Sequence, residues 1–139
     1  MSLQPFEFAV LTKLLEGSHP VLDALRAQLP RLCVSRREVT GVGFYTYFAL
    51  EDEDISAPLV AGDVRFGDVD ADIKGLKNGA GFVLYVRNGR VHMLEGYSYE
   101  EPWPPRIDEF TLAFADPSRR SVFKTLSGAM VGSGSAPDS

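Results

Sequence analysis

Apolar positions recur at helical spacing near the amino terminus and at every second residue further along. In "PFEFAVLTKLLE", residues 5–16, Phe6, Ala9, Val10 and Leu14 fall at helical spacing with Lys13; Pro5 suits a first turn and Gly17 supplies a stop. "SHPVLDALRAQLP", residues 18–30, repeats the signal. Ser18 can cap, Pro20 is tolerated in a first turn, and Val21, Leu22, Leu25 and Leu29 form a stripe that Pro30 ends. Two short amphipathic helices in succession are expected.

From residue 31 onward the period is two. "TGVGFYTYFAL", residues 40–50, puts Val42, Phe44, Thr46, Phe48 and Leu50 on one face and Gly41, Gly43, Tyr45, Tyr47 and Ala49 on the other, as in a half-buried strand. "EDEDISAP" reads as a polar connection, Val64–Phe66 as a short strand, and "DADIKGLKNGA" as turn and loop. "DEFTLAFAD" sets Phe110, Leu112 and Phe114 on one face of a further strand. "SVFKTL" reads as a short helix or extended piece, and residues 128–139 have the Gly/Ser composition of a flexible tail. The domain is therefore expected to span residues 1–127, without internal repeats.

Between residues 80 and 99, Asn88-Gly89 separates two alternating runs. Both positions of a type I′ turn want positive φ, which makes this pair the strongest hairpin signal in the chain. An unbroken ladder from that turn pairs Val86 with Val91, Tyr85 with His92, Phe82 with Glu95 and Gly81 with Gly96. One face then carries Phe82, Leu84, Val86, Val91, Met93, Glu95 and Tyr97, which reads as the core face with a carboxylate on it. Such a group is costly to ionise unless it finds donors. The reading is either structural, at the sheet's end or bonded to loop N–H groups, or functional, as a pocket carboxylate. The facing glycines predict a bare patch that a helix, a ligand or a second copy covers, bordered by Tyr85, His92 and Leu94. "EEPWPP", residues 100–105, holds Trp103 in a proline-stiffened loop, as a lid on the core or as a partner anchor.

The 139 residues carry a net charge of −5. That balance argues against non-specific nucleic-acid binding and favours a basic protein partner, if any. No apolar run approaches the ~20 residues of a membrane-spanning helix. "MSLQPFEFAV" lacks the basic and apolar regions of a secretory signal, and the lone Cys33 fits a reducing compartment, so a cytoplasmic protein is expected. Asp68, Asp70 and Asp72 open like a calcium loop, but Ile73 and Gly79 stand where glycine and glutamate are needed. "GVGF" and "GAGF" lead into no helix, and His19 and His92 lack zinc spacing. His19 is expected at the surface. No nucleophile elbow is present, and no cofactor is implied.

The run "GAGFVLYVRNGRVHMLEGYSYEEPWP", with "TGVGFYTYF" upstream, resembles a set of small bacterial proteins without an assigned activity. The likeness spans roughly residues 35–115 and includes Gly41, Phe44, Gly81, Phe82, Glu95, Gly96, Tyr97, Trp103 and Pro104. It brings no catalytic or binding residues with it. In size, acidity and α+β make-up the chain is also loosely similar to toxin-immunity proteins, a likeness that rests on no motif.

Two helices packed on an antiparallel sheet of four to six strands, an α+β domain with the 80–99 hairpin central, are thus expected. The core should include Leu14, Leu22, Leu25, Phe44, Phe48, Phe82, Leu84, Val86, Met93, Phe110, Leu112 and Phe114. Glu95, Tyr97, Tyr99, Trp103, Tyr85 and His92 are the candidate ligand or partner contacts. A protein-binding module, inhibitor or immunity-like, is the first functional reading. A small-molecule binder or enzyme using Glu95 is the alternative, and a homodimer through the Gly81/Gly96 face is a third.

Overall fold

The computed structural model describes residues 1–51 and 62–134; the connection expected at "EDEDISAP" falls almost wholly outside them, as does the end of the expected tail. Pro5–Leu14 (α1) and Pro20–Arg26 (α2) are the two predicted helices, followed by a 3-10 turn at Leu29–Arg31. In α1, Gln4 and Glu7 close a reciprocal capping box, and Pro5 occupies the first turn. His19 caps α2 by accepting from the Val21 N–H at 3.1 Å, and its other ring nitrogen lies 3.1 Å from Ser127 Oγ. It is buried rather than at the surface, because a third helix, Arg120–Gly134 (α3), packs over it. Val122, Leu126 and Ala129 give α3 its apolar stripe and carry it past residue 128, where the tail was expected to start.

Seven antiparallel strands form one sheet: Leu32–Thr40 (β1), Gly43–Leu50 (β2), Val64–Phe66 (β3), Val69–Ile73 (β4), Ala80–Arg87 (β5), Arg90–Ser98 (β6) and Phe110–Phe114 (β7). The order is β1-β2-β6-β5-β4-β7, with β3 also paired to β5, so the 80–99 hairpin is central as expected. β4 corrects the loop expected around "DADIK". Val69, Ala71 and Ile73 alternate inward and Asp70 and Asp72 outward, an alternation the acids disguise as loop. Apolar side chains of all three helices and of one sheet face form a single core, which includes Leu11, Leu14, Leu22, Leu25, Phe82, Leu84, Leu94 and Leu126. Phe44, Phe110, Leu112 and Phe114 pack against its margin, half-buried.

The hairpin turn is as predicted, with φ of 52° at Asn88 and 73° at Gly89. The register is not. Arg87 pairs with Arg90 and Val86 with Val91, but Tyr85 then pairs with Met93, leaving His92 as a bulge. Everything beyond it shifts by one residue: Glu95 faces Val83, Gly96 faces Phe82, and Tyr97 faces Gly81. The cause is parity. Val91 and Leu94 are both buried, and residues three apart share a strand face only if one extra residue intervenes. Met93, Glu95 and Tyr97 consequently leave the core face, and Leu94, Gly96 and Ser98 take it. The bulge spares the fold a carboxylate in its core.

The two glycines lie on opposite faces and neither is bare. Tyr97 lies across Gly81, where an added Cβ would stand 2.6 Å from the tyrosine Oη; the Phe44 ring fills the space over Gly96 on the core side. Gln28, buried behind the turn, steadies the bulged arm. Its amide donates to Gly89 O at 2.9 Å, and its carbonyl accepts from the Val91 N–H at 2.9 Å.

Candidate functional site

Packing of the three helices on one sheet face leaves the other without a helix among the described residues. Register arranges the side chains of that face in rows across the strands. One row reads Arg36, Tyr47, Met93, Tyr85 and Arg65, from β1 through β2, β6 and β5 to β3. The next reads Glu38, Tyr45, Glu95 and Val83, and the third Thr40, Gly43, Tyr97, Gly81 and Asp70. Tyrosines thus surround one central carboxylate.

Glu95 is half-buried, flanked by tyrosines on both neighbouring strands. Tyr85 donates its hydroxyl to Glu95 Oε1 at 3.1 Å. Tyr45 lies directly across on β2, and the charge of Glu95 is the main reason its phenol titrates above the ordinary tyrosine range. Burial raises Tyr85 as well, with the bond to Glu95 adding to it and the neighbouring Arg65 opposing it. Tyr97 is raised by burial and by Tyr99, with Asp70 and Glu95 contributing; the two rings meet edge-on at 5.7 Å. These phenols therefore stay protonated and act as donors near neutral pH.

His92 sits at the rim, edge-on to Tyr47 at 6.0 Å. Burial, aided by the charge of Arg87, holds its imidazole below the usual histidine value, so it is neutral at pH 7. Arg36 stacks on the other side chain of this corner, 4.2 Å from the centre of the Tyr47 ring.

Of the six predicted contacts, Glu95, Tyr85, Tyr97 and Tyr99 come together on or beside the open face, and His92 borders it. Trp103 does not join them. Its ring packs edge-on against Phe44 at 5.3 Å on the core side, and its backbone N–H donates to Gly41 O at 3.0 Å. The sheet separates it from Glu95, because Phe44 and Glu95 point to opposite faces. Tyr45, Tyr47, Arg36 and Arg65 were missed as site residues. Alternation in β2 already put the two tyrosines on one face, but only the pairing of β2 with β6 brings them to Glu95.

Shallow clefts mark the surface of the described residues, and the best-formed of them are not lined by Glu95 itself. One of about 190 Å³ opens where β2 and β6 part, against Phe48, Arg90 and His92. Another of about 270 Å³ lies between Arg65, Tyr85, Arg87 and His92. A third, about 460 Å³, borders Met1, Phe8, Pro30 and Cys33. Among the described residues no three His, Cys, Asp or Glu side chains converge as a metal site. Nor is any helix long and apolar enough to cross a membrane.

Two carboxylates elsewhere, Glu7 buried and Asp68 partly buried, are engaged by arginines. Glu7 accepts two bonds of 2.8 Å from Arg37, one of 2.9 Å from Thr46 Oγ1 and one of 2.7 Å from the Gln4 N–H. Asp68 accepts from Arg119 at 2.7 and 2.9 Å. Arg119 also donates to the carbonyls of Leu14 and Glu16 at 2.9 and 2.6 Å and stacks on Phe114. Both pairs join helices to the sheet. No family model, curated protein or solved structure matches the chain.

Proposed function

We propose that this chain is a non-enzymatic protein-binding module, acting in the bacterial cytoplasm as an inhibitor or immunity-like partner, and that it binds through the tyrosine-rich sheet face. The observation that supports this is Glu95, a carboxylate flanked by the phenols of Tyr45 and Tyr85, with Tyr47 and Tyr97 in the adjacent rows. Aromatic faces around an anion suit a guanidinium or ammonium group, which gains both ion pairing and cation–π attraction. Tyrosines that are half-buried before binding also lose little rotamer freedom on contact, as binding hot spots require. The net charge of −5 favours the same basic partner. The cleft of about 270 Å³ beside Tyr85 is the feature that favours the alternative, a small-molecule binder using Glu95, since Tyr85 also donates to that carboxylate.

Immobilised protein at low salt should retain a stoichiometric basic partner from bacterial lysate. Tyr85→Ala should weaken the purified complex by about tenfold or more, and Glu95→Gln should weaken it while leaving thermal stability nearly unchanged. A partner held equally well by both variants, or no partner at all, would defeat the assignment.

A further inference from the structure

We propose that β7 is a self-pairing edge through which two copies of this chain join antiparallel into one continuous sheet. β7 is the last strand in the order, and its inner side is used up by β4. The Lys74 N–H donates to Glu109 O at 3.0 Å, and the Ala115 N–H to Asp68 O at 2.8 Å. In an antiparallel ladder, bonding then alternates, so Thr111 and Ala113 also face β4. The N–H and C=O groups of Phe110, Leu112 and Phe114 consequently point outward, and among the described residues no hydrogen bond takes them.

The opposite edge of the sheet is guarded and this one is not. On β1, Met1 bonds Val34 from both sides, its amino group reaching Val34 O at 3.1 Å and its carbonyl accepting from the Val34 N–H at 2.7 Å. A bulge follows at Ser35, and then the charged run Arg36, Arg37 and Glu38. Those are the ordinary devices against edge pairing. "FTLAF" has no charge, no proline and no bulge.

The strand is also its own complement. A two-fold axis through Leu112 sets Leu112 against Leu112 of the second copy and Phe110 against Phe114, all with outward groups in bonding position. Each such pair exchanges two hydrogen bonds. On the core side phenylalanine meets phenylalanine; on the other, Thr111 meets Ala113. Beyond these, Asp108 would face Asp116, which limits the join to the strand itself. A second copy therefore fits this edge better than an unrelated strand. The join leaves the tyrosine face open and does not depend on its role.

Sedimentation from low to several hundred micromolar protein should show a concentration-dependent shift from 15.2 kDa to twice that mass. Amide exchange at Phe110, Leu112 and Phe114 should slow over the same range. Leu112→Pro, which removes an outward N–H together with a leucine at the core margin, and Ala113→Lys, which sets a charge against Thr111 of the second copy, should each yield a folded monomer. A wild-type chain that stays monomeric throughout overturns the proposal. So does a dimer whose amides at these three positions exchange as fast as in the monomer, or one that Ala113→Lys leaves intact.

Discussion

At Glu7 a carboxylate is almost wholly removed from water, yet it keeps its charge. Burial alone would raise its pKa; the Arg37 fork, the Gln4 N–H and the Thr46 hydroxyl outweigh burial and hold it below its ordinary 4.5. A folded-state pKa below the unfolded one means that the stabilisation is complete above the unfolded value. It is lost as pH falls from there through the folded value. Resistance of the wild type to urea should therefore fall as pH drops below about 4.5, and Glu7→Gln should lose that part of the dependence. At neutral pH the same substitution should cost about 1.5–3 kcal/mol, the usual worth of hydrogen bonds to a charged group. The Tyr45 and Glu95 pair offers a second test at this scale. Because the Glu95 charge leads the rise in the Tyr45 pKa, Glu95→Gln should bring that phenol back toward 10.0 in an ultraviolet titration. An unchanged titration would mean the carboxylate does not face Tyr45.

At the scale of elements, the hairpin shows both how far local sequence rules reach and where they stop. Asn88-Gly89 located the turn and its type, since positive φ at two successive positions has few solutions. Parity beyond the turn depends on which residues the rest of the molecule will bury. The unbroken ladder buries Met93 and Glu95, and the bulged one buries Leu94 and makes room for Phe44 over Gly96. Misplaced charge was the visible symptom of the slip, and Leu94 on the supposed outer face was another. The support for the bulged arm comes from far away in sequence, through Gln28. Gln28→Ala should leave the Val91 N–H and the Gly89 carbonyl unpaired in a dry site, at a cost of about 1–3 kcal/mol. Faster exchange of the Val91 amide, with β2–β6 pairing kept, would locate that loss at the turn.

For the whole molecule, the two amino-terminal helices, the central hairpin and most core positions were legible because each rests on local periodicity. Long-range pairing was not: nothing near β2 says that it joins β6, and nothing near β4 distinguishes alternating aspartates from a loop. The candidate site was affected most, since it exists only where five strands meet. Four of its members could be named from the hairpin alone, but Tyr45, Tyr47, Arg36 and Arg65 required the sheet. Trp103 was misassigned to it because a loop tryptophan can fold to either side, and the β1–β2 turn draws it inward through Gly41.

The guanidinium of Arg119 holds the carbonyls of Leu14, at the end of α1, and of Glu16, just beyond it, while gripping Asp68 between β3 and β4. A nascent chain emerging amino terminus first exposes those acceptors long before their donor leaves the ribosome. Helix and central strands can collapse early, but their closing clasp arrives only once Arg119 has emerged. Final locking of these elements thereby waits for a residue 105 positions beyond the end of α1.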